Sequence, residues 1–357
     1  PIIVASSKWG PGAAMSGALA AGLIYVVVAL VVGYIGTGWL DKLLPPAVVG
    51  SVVIVIGLGL AGVAVQMAGL SGQNVTLANP DIRVALVTLL VAVLASVFLR
   101  GFLAVIPGLI GIIVGYLYAW YEGIVDFSLL GKAAWFAWPH FTTPEFSWPA
   151  ILLIAPIAVV PITEHIGHLL VTNKVVGRDF TRDPGLHRSL MGDGVATSVA
   201  ALLGGPPNTT YGENIGVMAI TRVYSVWVIG GAAVIAILLG FVEKVGALIR
   251  TIPSPVMGGI SILLFGVIAS SGLRMLVESG IDYSKKHNLI ISSVILVLGI
   301  GGAKIVFGQF ELHGMALATF VGILLNLILP APRKMDNGEP EVEAAELEAA
   351  ASGGRQK

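Results

Sequence analysis

"PPNTTYGENIGVMAITR", Pro206 to Arg222, is the stretch on which the reading of the fold turns. Pro206 and Pro207 cannot continue a helix, because proline lacks the backbone N–H and its ring clashes with the preceding turn. Thr209, Thr210 and Tyr211 favour an extended chain, and Gly212 permits a sharp change of direction. Glu213 to Ile220 then reads as a short helix. The segment predicts strand, turn and half-helix, and irregular backbone at membrane depth is tolerated only where protein or a cavity receives it.

The flanking sequence places this break inside a membrane. The 357 residues are 56% hydrophobic and 11% charged, with mean hydropathy +0.92, whereas soluble domains carry about a quarter charged residues. A helix that crosses the bilayer needs about 20 apolar residues, and such runs recur from Ala13 to Pro330. The expected spans are 11–36, 46–68, 82–100, 102–121, 149–171, 186–204, 207–220, 223–242, 255–275, 288–303 and 312–330, eleven crossings or half-crossings. The many glycines let membrane helices approach closely, and Pro107, Pro156 and Pro161 are expected to kink the helices that hold them. The absence of cysteine excludes disulfides and thiolate metal sites. A formal net charge of zero offers no basic surface for nucleic acid. The chain opens "PIIVASSKWG", without an initiator Met, a charged n-region or a cleavage site, so a preceding segment is expected.

Orientation follows from the Lys/Arg bias of short loops. With the Lys174, Arg178, Arg182, Arg188 loop inside, twelve flanking bases fall in the cytoplasm against six outside, which predicts a cytoplasmic C-terminus. The outer loop after 121 carries Phe127, Trp135, Phe136, Trp138, Phe141, Phe146 and Trp148, and is expected to lie at headgroup level. Residues 332–357 bear six acids between Asp336 and Glu348 and are expected to form a disordered tail.

Three acids interrupt the predicted spans: Glu164, Asp193 and Glu213. An ionisable group at mid-bilayer costs roughly 3 kcal/mol or more, so each is expected to face protein or water. Glu164 and His168 are four apart and share a helix face, with His165 pointing elsewhere. They can serve as a mutually satisfied packing pair or line a cavity near the Pro161 kink. "EHIGH" is not a metalloprotease pattern, and no third metal ligand is evident. Asp193, between Gly192 and Gly194, is assigned to hydrogen bonding with a neighbouring helix. In the broken segment, the half-helix exposes N–H groups and a positive dipole end, which suits a small ligand with carbonyl oxygens. Glu213 adds an acceptor for ligand N–H groups; the alternative is a re-entrant packing element with no ligand.

At this point the residues match a known pattern. "ENIGVMAITR" fits Gln/Glu/Pro-Asn-x-Gly, four residues, Thr-Arg, with Glu213, Asn214, Gly216, Thr221 and Arg222 at the fixed positions. With "TEHIGH", "RDPGLHRS" and "PNTTYGENIGVMAITRVYS", the chain resembles the nucleobase–cation symporter (nucleobase–ascorbate transporter) family, and its bacterial uracil permease branch, over Pro1 to about Pro330. The resemblance implies an all-α polytopic membrane protein of fourteen segments in two inverted seven-segment repeats. The eleven spans here would be segments four to fourteen, one of them broken by a short strand. It implies a substrate-binding core of residues 1–36 and 149–245, a gate of 37–148 and 246–331, and a homodimer in the bacterial inner membrane.

Carried over residue by residue, the resemblance makes Glu164 and Glu213 the carboxylates that hold a pyrimidine edge. Tyr211 and Gly212 supply contacts from the strand, and His168 tunes Glu164 and shares in proton coupling. Uracil offers two N–H donors and two carbonyl acceptors in one plane, which agrees with two carboxylates plus backbone N–H groups. The expected activity is proton-coupled uracil import with no covalent chemistry and no cofactor beyond the coupling proton. The alternative is a xanthine or urate permease of the same family, and the glutamate that opens the signature favours uracil. An intramembrane enzyme would need a nucleophile–base pair or a full metal set, and neither is visible.

Overall fold

Proline marks where helices begin. Pro11, Pro46, Pro80, Pro107, Pro149 and Pro255 each sit in the first two positions of a helix, where the missing N–H would have had no intrahelical partner anyway. The computed structural model describes residues 2–72, 75–307 and 310–330. Within these it describes the side chains of all but Ile3, Val4, Asp41, Phe102, Glu213, Phe307, Phe310, Glu311 and His313. The expected tail 332–357 lies outside the described residues.

The elements in order are α1 (Ile2–Trp9), α2 (Pro11–Ile35), α3 (Gly38–Leu43), α4 (Pro46–Leu58), α5 (Ala61–Met67), α6 (Pro80–Phe98), α7 (Pro107–Tyr121), α8 (Ser128–Lys132) and α9 (Trp148–Ile154). There follow α10 (Val159–Val176), α11 (Leu186–Leu202), α12 (Gly212–Thr221), α13 (Val226–Gly240), α14 (Glu243–Arg250), α15 (Ser254–Glu278) and α16 (Lys286–Ile300). An antiparallel hairpin of β1 (Lys304–Phe307) and β2 (Phe310–His313), with Lys304 opposite His313, leads into α17 (Gly314–Ile328). This is an all-α polytopic membrane architecture with one small ribbon.

Several expected spans are divided. Five stretches are long and apolar enough to cross a bilayer alone: Pro11–Ile35, Pro46–Met67, Pro80–Phe98, Trp148–Val176 and Ser254–Glu278. A sixth candidate, α13 with α14, bends by 83° at Phe241–Val242. The apolar helices α7, α16 and α17 have 15 residues each, or about 22 Å at 1.5 Å per residue, short of the roughly 30 Å hydrocarbon layer. Of the eleven expected crossings or half-crossings, five or six are thus long and apolar enough to span alone, because composition registers an apolar run and is blind to its breaks.

Pro107 opens α7 instead of kinking it, and residues 101–105 before it form a separate 3-10 turn. Span 149–171 is α9, a 3-10 turn over Ala155–Ala158 that contains Pro156, and α10, with Pro161 in its first turn. Span 288–303 ends early at Ile300, with 301–303 as a turn before the hairpin, and span 312–330 gives up its first two residues to β2. Gly302, at φ 65°, turns the chain after α16, and β-branched Ile305 and Val306 favour the strand that follows. In place of the short strand expected within 207–220, residues 205–211 have no regular secondary structure, with extended backbone at Tyr211 and no ladder partner among the described residues.

Close backbone approach organises the packing. α2 runs along α11 at a crossing of two glycines: a Cβ on Gly194 would lie 2.7 Å from Tyr25 Cβ and 3.0 Å from Gly22 O. α15 packs on α4, α5 and α6, and α16 on α4 and α17. Tyr25, Val48, Val52, Leu153, Leu190, Ile291 and Ile295 are fully buried in the main cluster. The aromatic loop is held to the α13–α14 bend by Ala137 N–H donating to Phe241 O and by Trp138 edge-on to Phe241. α13 buries none of its residues.

Candidate functional site

The site forms where α10 and α11 receive the extended chain before α12. α10 presents two faces. His165, 4% exposed, turns toward α11, where its Nδ1 lies 2.7 Å from Asp193 Oδ2 and its Nε2 2.8 Å from Ser189 Oγ. An ionised Asp193 can only accept, so Nδ1 carries the proton of that bond. Nearby on α2, the buried Tyr25 hydroxyl has no hydrogen-bond partner among the described residues.

The second face carries Glu164 and His168, and the extended chain is fastened to it. Thr209 Oγ1 donates to Glu164 Oε2 at 2.9 Å, and Thr210 Oγ1 lies 2.6 Å from His168 Nδ1. Asn208 N–H donates to Thr197 Oγ1 on α11 at 3.1 Å. The segment is thus pinned to two helices, and side-chain hydroxyls replace the sheet ladder that it lacks.

At Gly212 the chain enters α12. A Cβ there would stand 3.0 Å from His168 Nε2, so glycine lets the imidazole lie against the helix start. Tyr211, the N-cap, makes no side-chain capping bond. The positive end of α12 therefore points at the ground beside His168. The other end is capped by the Thr-Arg pair: Thr221 Oγ1 accepts from Val223 N–H at 3.3 Å, and Arg222 adopts the left-handed conformation at φ 55°. Gly216 faces open space.

A cavity of about 290 Å³ opens at this junction. Its polar wall is His165, His168, Thr172, Thr209, Thr210, Tyr211 and Asn214, and Leu169 and Ile215 close the apolar side. The volume lies at the small end for ligand sites. Glu164 is absent from the wall itself and reaches it through Thr209. The side chain of Glu213 lies outside the described residues, so only its place in the first turn of α12 is fixed. A larger groove of about 850 Å³ between α2 and α11, lined by residues such as Leu30, Tyr34, His187 and Val195, is mostly apolar and has no broken helix at its wall. The smaller cavity is the better site, because helix end, imidazoles and hydroxyls converge there. Among the described residues no group of three or more His, Asp or Glu side chains could hold a metal.

Sequence reasoning brought forward Glu164, His168, Tyr211, Gly212 and Asp193, and the structure places the first four at the strand–α12 junction and Asp193 on His165. It set His165 on another face without naming its partner, read Thr209 and Thr210 only as extended chain, and gave Ser189 no role. Only the consecutive hydroxyls before Tyr211-Gly212 carried a local signal, since an unpaired strand must satisfy its polar groups somewhere.

A bundle of apolar helices with a polar cavity at a discontinuous helix defines a membrane permease. Residues 1–307 match the profile described as "Permease family". The chain is 57% identical over 345 residues to the uracil permease of Bacillus caldolyticus, covering 94% of this chain and 80% of that one. It is 57% identical to the uracil permease of Bacillus subtilis (94% and 79% covered) and 55% identical to that of Escherichia coli K12 (88% and 74% covered). The chain belongs to the nucleobase–ascorbate transporter (nucleobase–cation symporter) family. It is a multi-pass membrane protein of a transporter family, not an enzyme.

Proposed function

We propose that this chain imports uracil by proton symport across the bacterial cytoplasmic membrane. The observation that carries the reading is the α12 N-terminus opening onto a cavity of about 290 Å³ beside His168, in a chain whose relatives are named uracil permeases. The α12 end and Tyr211–Gly212 backbone receive the carbonyls of the base, and Glu164 and Glu213 accept its N–H groups. Closure removes water, which disfavours an ionised carboxyl, so Glu164 takes up a proton as the base is enclosed. His168, one turn away, shares that proton, because an imidazole titrates near neutral pH. Residues 1–36 and 149–245 carry the site and move against 37–148 and 246–331, giving alternating access in a homodimer whose C-terminus is cytoplasmic.

Uptake into proteoliposomes under an imposed pH gradient tests this. Uracil should accumulate with the gradient, and lower outside pH should tighten binding by the factor by which uracil tightens proton binding. Glu164→Gln and Glu213→Gln should each cost about 1.5–3 kcal/mol in uracil binding, the range for a hydrogen bond to a charged group. Accumulation that follows sodium refutes the coupling, normal accumulation by His168→Ala removes that residue's role, and displacement of uracil by xanthine at equal concentration refutes the substrate.

A further inference from the structure

Thr209 and Thr210 precede the fixed positions Glu213, Asn214, Gly216, Thr221 and Arg222, and each directs its hydroxyl to a titratable side chain of the α10 face, Glu164 or His168. We infer that they are positioning residues that hold Glu164 and His168 in the orientation that binds the nucleobase, an inference that rests on the transport reading above.

The argument begins with chain geometry. Residues 205–211 have no regular secondary structure and run past α10, where Glu164 and His168 lie one helical turn apart. Thr209 and Thr210 reach both, so the segment crosses the α10 face as a two-point clamp. Asn208 N–H on Thr197 Oγ1 adds a third anchor on α11. Thr209 has one hydroxyl proton, and it goes to Oε2 of Glu164. That bond orients the carboxylate and ties Glu164 to the cavity wall through Thr209.

Thr210 acts differently, because a hydroxyl can donate or accept. When His168 is neutral with Nδ1 bare, Thr210 donates to Nδ1 and the Nε2–H points toward Gly212. When His168 is protonated, the hydroxyl rotates and accepts from Nδ1–H. The ring therefore keeps one position through a change of charge, with Nε2 always presented at the start of α12. The titratable groups around it are Glu164 on its own helix, Tyr211 at the α12 start and the His165–Asp193 pair on the α11 side, with Glu213 placed by its backbone in the first turn of α12. Valine has the shape of threonine and neither function.

The test uses the full chain in proteoliposomes with Thr209→Val, Thr209→Ser, Thr210→Val and Thr210→Ser. Equilibrium uracil binding should weaken roughly tenfold or more in each Val variant, as for loss of a hydrogen bond to a charged group. Each Ser variant should stay within about threefold of wild type, because it keeps the hydroxyl. Thr210→Val should also displace the pH midpoint of binding, which a packing role would leave in place. Val variants that bind like wild type, or Ser variants as weak as Val, would overturn the clamp. A readout without ligand separates this from failure of the uracil reading: in ¹⁵N-histidine spectra assigned with His168→Gln, Thr210→Val should shift the His168 ring nitrogens. Unchanged ring shifts overturn Thr210's role whatever the substrate proves to be.

Discussion

The His165–Asp193 bond gives the structure a quantitative test. Its Nδ1–Oδ2 distance is 2.7 Å, His165 is 4% exposed, and the Asp193 side chain is 15% exposed. Asp193→Leu removes the acceptor and leaves a largely buried imidazole N–H without its partner, and such an orphan costs about 1–3 kcal/mol. Interhelical hydrogen bonds inside membranes average only ~0.6 kcal/mol and reach ~1.7 kcal/mol. The charge on Asp193 and the complete burial of its partner put this pair at the upper end. Asp193→Leu and His165→Leu should therefore each destabilise by about 2 kcal/mol, with a double-mutant coupling of about 1–1.7 kcal/mol. Asp193→Asn keeps an acceptor at the same place and should cost less than about 1 kcal/mol. The assay is reversible unfolding in mixed micelles by added SDS, followed by far-UV circular dichroism. A coupling below about 0.3 kcal/mol, the scatter of independent sites, would refute the pairing. Asn as harmful as Leu would show that charge, rather than the hydrogen bond, holds α10 to α11.

Three further outcomes follow from single contacts. Glu122, just past α7, is held by hydrogen bonds from Arg83 and Tyr118, which lower its carboxyl from 4.5 to about 2. A depressed carboxyl stabilises above its unfolded value and is lost as pH falls through the folded one, so the advantage of wild type over Glu122→Gln should be full above about pH 5 and gone near pH 2; a pH-independent difference refutes it. Gly272→Ala would put a Cβ 2.7 Å from Gly50 O and Ile54 N and should cost about 1–3 kcal/mol by overpacking, whereas Gly266→Ala, facing open space in the same helix, should gain up to about 1 kcal/mol; equal SDS midpoints for the two would sink the packing assignment. The Lys174–Glu278 pair between α10 and α15 is exposed by 61% and 31%, so a double-mutant cycle should return less than about 1 kcal/mol and shrink with added salt.

What the sequence by itself determined was whatever depends on neighbours along the chain. Low charge and continuous apolar runs of about 20 residues specify a helical membrane protein, since a barrel strand crosses in about 10 residues of alternating character. Pro206 to Gly212 specify the helix break, because proline's missing donor and glycine's freedom act within a few residues. The four-residue spacing of Glu164 and His168 already placed them on one face. The tertiary structure alone decided partners and breaks that depend on distant segments. Asp193 could have met any neighbouring helix, and only the Gly22–Gly194 crossing, which sets α11 against α2, brings it to His165 from α10. The hairpin after α16 was hidden because Ile305 and Val306 are as apolar as a membrane helix, and only pairing with residues 310–313 tells strand from helix there. Thr209 and Thr210 read as ordinary strand formers. That their hydroxyls end on Glu164 and His168 rests on contacts 45 and 42 residues apart in the chain, a separation that local propensity does not sense.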